Sequence, residues 1–137
     1  MPRKPVKKPA KKPSKTAAAK VRKTPENDEG CLQMHCAAWL KNEHPRLLAF
    51  HVANERKAAV QYHVKLKRMG VLAGVADWLV FPDNGRKAAV ELKDDEGEQD
   101  ADQIKFQKRW ERSGGLYFLV RTLDEFKTVV NGLLLFG

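Results

Sequence analysis

At 137 residues the chain has room for one domain with a modest core. No apolar run of about 18 residues occurs, which excludes a membrane-spanning helix, and two cysteines are too few for a disulfide framework. The formal net charge is +9, and its distribution matters more than its total.

Residues 1–25 carry ten Lys or Arg and no Asp or Glu, whereas the remaining 16 basic and 17 acidic side chains leave −1. Pro2, Pro5, Pro9, Pro13 and Pro25 fall in the same segment. Proline removes backbone donors, and the segment has almost nothing to bury, so residues 1–26 are expected to be a disordered basic tail and 27–137 the folded domain. A flexible polycation attracts polyanions through counterion release, nucleic acid foremost. A solubility or localisation tail is the competing reading. No apolar stretch follows the first basic residues, so a secretory leader is not expected. The compartment expected is reducing and intracellular, the cytoplasm or nucleoid in a prokaryotic or viral setting.

Along the folded part, Asn27 or Asp28 can cap a helix through Leu32, Cys36, Trp39 and Leu40, ended by His44-Pro45. Residues 47–52 read as a strand, and 56–69 as a second helix stopped by Gly70. A glycine-containing loop then leads to a strand over 77–81. Pro82-Asp83-Asn84-Gly85 signals a turn into a partner strand over 86–93. An acidic loop, 94–102, precedes a helix bearing Ile104, Phe106 and Trp110, closed by Gly114-Gly115. A strand over 116–121 and a helix over 123–135 complete the order. The expected class is α/β, a central mixed sheet flanked by helices in one domain. Trp39, Trp78 and Trp110 sit in apolar stripes and are expected in the core.

Glu-x-Lys occurs three times, at 55–57, 91–93 and 125–127, so the triplet alone says little. The setting of the second distinguishes it. Residues two apart on a strand share a face, so Glu91 and Lys93 project together where the apolar stretch ends. Positions 77 and 91 are equidistant from Asn84, which brings Asp77 opposite Glu91 across the hairpin. Two carboxylates that close call for a neutralising partner. Mg²⁺ or Mn²⁺ would serve, held by Asp77 and Glu91 with the Leu92 carbonyl as an extra ligand. Lys93 would orient or deprotonate an attacking water, or neutralise charge on a phosphate. An exposed Glu–Lys pair at a strand end accounts for the same residues without chemistry.

Gly70-Val71-Leu72-Ala73-Gly74-Val75-Ala76-Asp77, then Glu91-Leu92-Lys93, then Gln103 early in a helix, resembles the VRR-Nuc branch of the PD-(D/E)XK, restriction-endonuclease-like nucleases. Glu29 with Gln33, and the stretch 50–55, extend the resemblance to about residues 27–130. Ala76 stands where the family pattern has proline, which shapes the backbone and does no chemistry. The resemblance implies a phosphodiester-hydrolysing endonuclease acting on DNA. It also implies structure selectivity, including resolution of four-way junctions by a homodimer. It further implies that Glu29 lies near the metal and that Gln103 contacts the catalytic Lys or the substrate. The resemblance implies that His51 and Asn54 contact the nucleic-acid backbone; the basic residues Arg56, Lys57, Lys65, Lys67 and Arg68 suit phosphate contacts by their charge, with a solvated helix face as the alternative. A non-catalytic DNA-binding or packaging protein acting through its tail is the rival class, and an RNA substrate is open.

Overall fold

The strand that carries Glu91 is the best-covered strand of the domain. The computed structural model describes residues 28–53 and 59–135. The basic tail, Asn27, and Asn54, Arg56 and Lys57 among the expected nucleic-acid contacts lie outside the described residues. In chain order the elements are α1 (Glu29–Glu43), β1 (Leu48–His51), α2 (Val60–Arg68), β2 (Trp78–Phe81), β3 (Ala88–Leu92), α3 (Ala101–Arg112), β4 (Leu116–Val120) and α4 (Leu123–Leu135). The strands form one mixed sheet in the order β1-β2-β3-β4. β1, β2 and β3 run antiparallel in turn, while β4 lies parallel to β3 with α3 as the crossover. Every residue of β3 is buried, because helices cover both faces of the sheet there.

The two faces differ. On one, α1 contributes Leu32, Cys36 and Leu40, and α4 contributes Phe126, Val130 and Leu133, both at helical spacing. These pack on Trp78, Val80, Ala88, Val90, Leu92 and Val120 of the strands. Phe126 is fully buried and meets Trp39 and Trp78 at ring-centroid distances of 6.0 and 5.9 Å. On the other face, α3 covers a smaller apolar group of Ala76, Ala89 and Phe106, flanked by Leu79, Trp110 and Tyr117. Trp110 donates its indole N–H to the Leu116 carbonyl at 2.8 Å. All three tryptophans thus belong to packing.

Two boundaries depart from the sequence reading. The expected partner strand from Arg86 starts only at Ala88, and β2 ends at Phe81, so the connection is longer than a two-residue hairpin. Pro82 cannot donate to a ladder. Asn84 bonds away from the strands, its amide donating to the Leu133 carbonyl of α4 at 3.0 Å and its side-chain oxygen accepting from the Arg86 N–H. α2, expected over 56–69, runs from Val60 and buries no side chain. Among the described residues no helix is long and apolar enough to cross a membrane.

Candidate active site

The register settles where the carboxylates stand. Trp78 pairs with Val90, so the next step outward places Asp77 opposite Glu91. Alternation along β3 sends Val90 and Leu92 into the large core and puts Glu91, with Ala89, on the α3 face. Glu91 is 1% exposed, Lys93 5% and Gln103 fully buried. Among the described residues these are the only buried polar or charged residues of the sheet and its helices.

Each is held by specific bonds. Gln103 donates its amide to Glu91 Oε1 at 2.7 Å. Lys93 Nζ lies 3.8 Å from the same oxygen, an ion-pair contact longer than a strong hydrogen bond. Gln103 is itself fixed by the capping box that starts α3. Asp100 Oδ1 accepts from the Gln103 N–H at 2.8 Å, and Gln103 Oε1 accepts from the Asp100 N–H at 2.9 Å. The side chain expected to reach the Lys or a substrate therefore reaches Glu91. Asp77 Oδ2 accepts from the Leu92 N–H at 2.7 Å, tying the strand that carries Glu91 to the loop that carries Asp77.

That loop is pressed against the first turn of α3. Gly74 has φ +78°, and a Cβ there would lie 2.3 Å from the Asp102 carbonyl carbon and 2.6 Å from Gln103 N. A side chain at 74 would push the loop, and Asp77 with it, off α3. Ala76, in place of the family's proline, is fully buried beneath α3.

Of the other expected residues, Glu29 opens α1 beside Lys93. A Cβ on Gly97 would stand 3.1 Å from Lys93 Cδ and 3.5 Å from Glu29 Oε1. Among the described residues no three His, Cys, Asp or Glu side chains form a group able to hold a metal ion, so the acidic set at the centre is a pair, Asp77 and Glu91. His51, expected against nucleic acid, bonds through Nδ1 to the Asp77 carbonyl at 2.8 Å, alongside the Val52 N–H on the same oxygen. A carbonyl only accepts, so Nδ1 carries the proton. Lys65, Lys67 and Arg68 are exposed on α2.

Three supporting residues escaped the sequence reading. Asp100-x-x-Gln103 is a capping-box pattern and was legible as such. Arg121 bonds the carbonyls of Asp94 and Gly97, clasping the loop that packs on the Lys93 stem, and no sequence signal points to it. Tyr117 accepts from the Gln99 amide at 3.0 Å. Burial pushes its hydroxyl up to about 12; the Gln99 bond works against that rise, and negative charge at Glu91, Asp77 and Asp100 adds to it.

Two solved structures share this architecture. One, a VRR_NUC domain protein, matches over 80% of this chain and 89% of its own, with a TM-score of 0.67 at 20% identity. The fold is that of VRR_NUC domain proteins. A second solved VRR_NUC domain matches over 75% of this chain and 94% of its own, with a TM-score of 0.51 at 19% identity. No protein-family model and no curated protein matches the sequence. At such identity the likeness resides in the fold.

Proposed function

We propose that the protein is a VRR-Nuc nuclease of the PD-(D/E)XK type, an endonuclease that hydrolyses phosphodiester bonds in DNA with Mg²⁺ or Mn²⁺. The observation that carries this reading is the buried cluster of Glu91, Lys93 and Gln103, with half-buried Asp77 tied to the same strand through the Leu92 N–H. A scaffold gains nothing from it. Burying a carboxylate and an ammonium costs several kcal/mol each before their attraction offsets it.

The donor set fits a divalent cation. Mg²⁺ takes one or two carboxylates with waters and phosphate oxygens, and Asp77 with Glu91 makes such a pair. Bound there, the ion would polarise the scissile phosphate and lower the pKa of a coordinated water. Asp77 and Glu91 would hold it, with the Leu92 carbonyl as a further oxygen ligand and Glu29 nearby. Gln103 keeps Glu91 in one rotamer, and the capping box keeps Gln103 in place. At 3.8 Å from Glu91, Lys93 can turn its ammonium toward an attacking water or the phosphate charge without leaving the site. His51 and the Val52 N–H anchor the backbone of Asp77.

The finer reading is structure selectivity. One compact domain with one centre cuts two strands of a branched substrate symmetrically only as a pair, so the acting species is a homodimer. Light scattering at micromolar concentration should then report twice the chain mass.

The decisive assay is cleavage of labelled duplex, single-stranded and four-way-junction DNA with Mg²⁺, Mn²⁺ or EDTA. Cutting should require metal and fall about 10²–10⁴-fold in Lys93→Ala, with a thermal melt confirming that the variant is folded. Binding of all three substrates without cutting under either metal would leave the protein a DNA-binding factor.

A further inference from the structure

A groove of about 1180 Å³ runs between α2 and α3, and neither Asp77, Glu91 nor Lys93 lines it. Its floor is apolar, with Leu66, Val71, Leu72 and Phe106 facing the space. Its rim is cationic. Lys105, Lys108 and Arg109 follow one another at the spacing of a single helix face on α3, and Lys67 stands across from them on α2. Asp100 and Asp102 complete the lining at the N-terminal end of α3, and Asp100 is already occupied by the capping box. Outside the tail the chain carries 16 basic and 16 acidic side chains. Four cations along one groove are therefore a local concentration that the domain's overall charge does not require.

Both walls lead to the active centre. The loop forming the floor, through Leu72 and Gly74, continues directly to Asp77. On the other wall, Asp102 precedes Gln103, whose amide holds Glu91. Arg109 lies six residues further along α3, roughly 9 Å from Gln103 along the axis. The cationic row thus starts within one helical turn of Gln103 in α3 and runs toward the C-terminal end of that helix.

We propose that this groove binds an unpaired strand of the nucleic acid, next to the bond to be cut, with phosphates on the Lys/Arg rim and bases against the apolar floor. This deepens the nuclease reading and rests on it for the bond that is cut. A duplex keeps its bases stacked inside and would use only the rim. An unpaired strand exposes base faces, and a groove combining cations with aromatic and apolar surface suits it. Tyr62, 42% exposed on the α2 side, supplies an aromatic face for stacking. The enzyme then favours substrates with a single-stranded arm at the cleavage point over uninterrupted duplex.

The test uses the full chain in EDTA, so that binding is read without cleavage. A 12-nucleotide oligo(dT) bearing 5-iododeoxyuridine is photo-crosslinked, and the attached peptides are mapped by mass spectrometry. Crosslinks are expected on Tyr62 and neighbouring peptides of α2 and α3. Tyr62→Ala should weaken binding of the oligonucleotide about 5- to 100-fold. Replacing Lys105, Lys108 and Arg109 by Gln should lower the slope of log affinity against log salt by about 2. These residues are exposed, so the variants keep the fold. Crosslinks confined to the basic tail, or tighter binding of the same sequence as duplex, would overturn the groove assignment. Groove crosslinks without metal-dependent cutting would sink the nuclease reading and leave the groove standing. Cutting without groove crosslinks would do the reverse.

Discussion

The two faces of the sheet solve different problems with the same strands. Among the described residues the face under α1 and α4 gathers twelve buried side chains, all apolar. The face under α3 has, among the described residues, only Ala76, Ala89 and Phe106 as its buried apolar group, and it holds the buried Glu91, Lys93 and Gln103 beside them. Stability is concentrated on the first face, and on the second burial strengthens electrostatics at some cost to stability. The alternation of β3 makes this division possible. Val90 and Leu92 secure the strand from one side while Glu91 is presented on the other.

The largest effect should come from the dry face. Phe126→Ala should lower unfolding free energy by about 3–5 kcal/mol in urea titration. Cleavage per folded molecule should persist, and an equal loss in the folded fraction would mean that the faces are not separable. On the α3 face, Lys93→Met alone should cost about 3–5 kcal/mol, because it removes the cationic partner of a buried carboxylate. The double variant Glu91→Gln with Lys93→Met should recover wild-type stability or exceed it while remaining inactive. A double variant as unstable as the single one would show that the pair stabilises the fold.

The smallest effect is a difference in alkaline pH dependence. The Tyr117 hydroxyl is raised to about 12 in the folded chain, against about 10 unfolded. Its contribution is complete below pH 10 and is lost as pH rises from about 10 to 12, because the unfolded state gives up its proton first. On the dry face, burial raises the Cys36 thiol from 9.0 to about 12, so its contribution starts to fall nearer pH 9. Tyr117→Phe should flatten only the upper part of the decline. An unchanged decline in that variant would remove Tyr117 from the account.

Much of this was legible along the chain. α4 spans residues 123–135 as its apolar spacing indicates, and the register that sets Asp77 against Glu91 follows from counting outward from Asn84. The connection itself was less legible, because Asn84 bonds to α4, a partner 49 residues away. The choice of Glu91-Leu92-Lys93 among three similar triplets came from strand context, which is local. The partner of Gln103, the bond from His51 to the Asp77 carbonyl and the clasp of Arg121 were not readable, since each joins elements distant in sequence.

The sequence by itself determined the element order, the single domain, the face on which Glu91 and Lys93 project and the charge of the tail, because periodicity and composition are local properties. The tertiary structure alone decided that Gln103 meets Glu91, that Gly74 must be glycine against α3, and that α2 and α3 enclose a basic, apolar-floored groove. Those outcomes depend on how elements pack across the crossover, and no short window of residues encodes the distance between two helices.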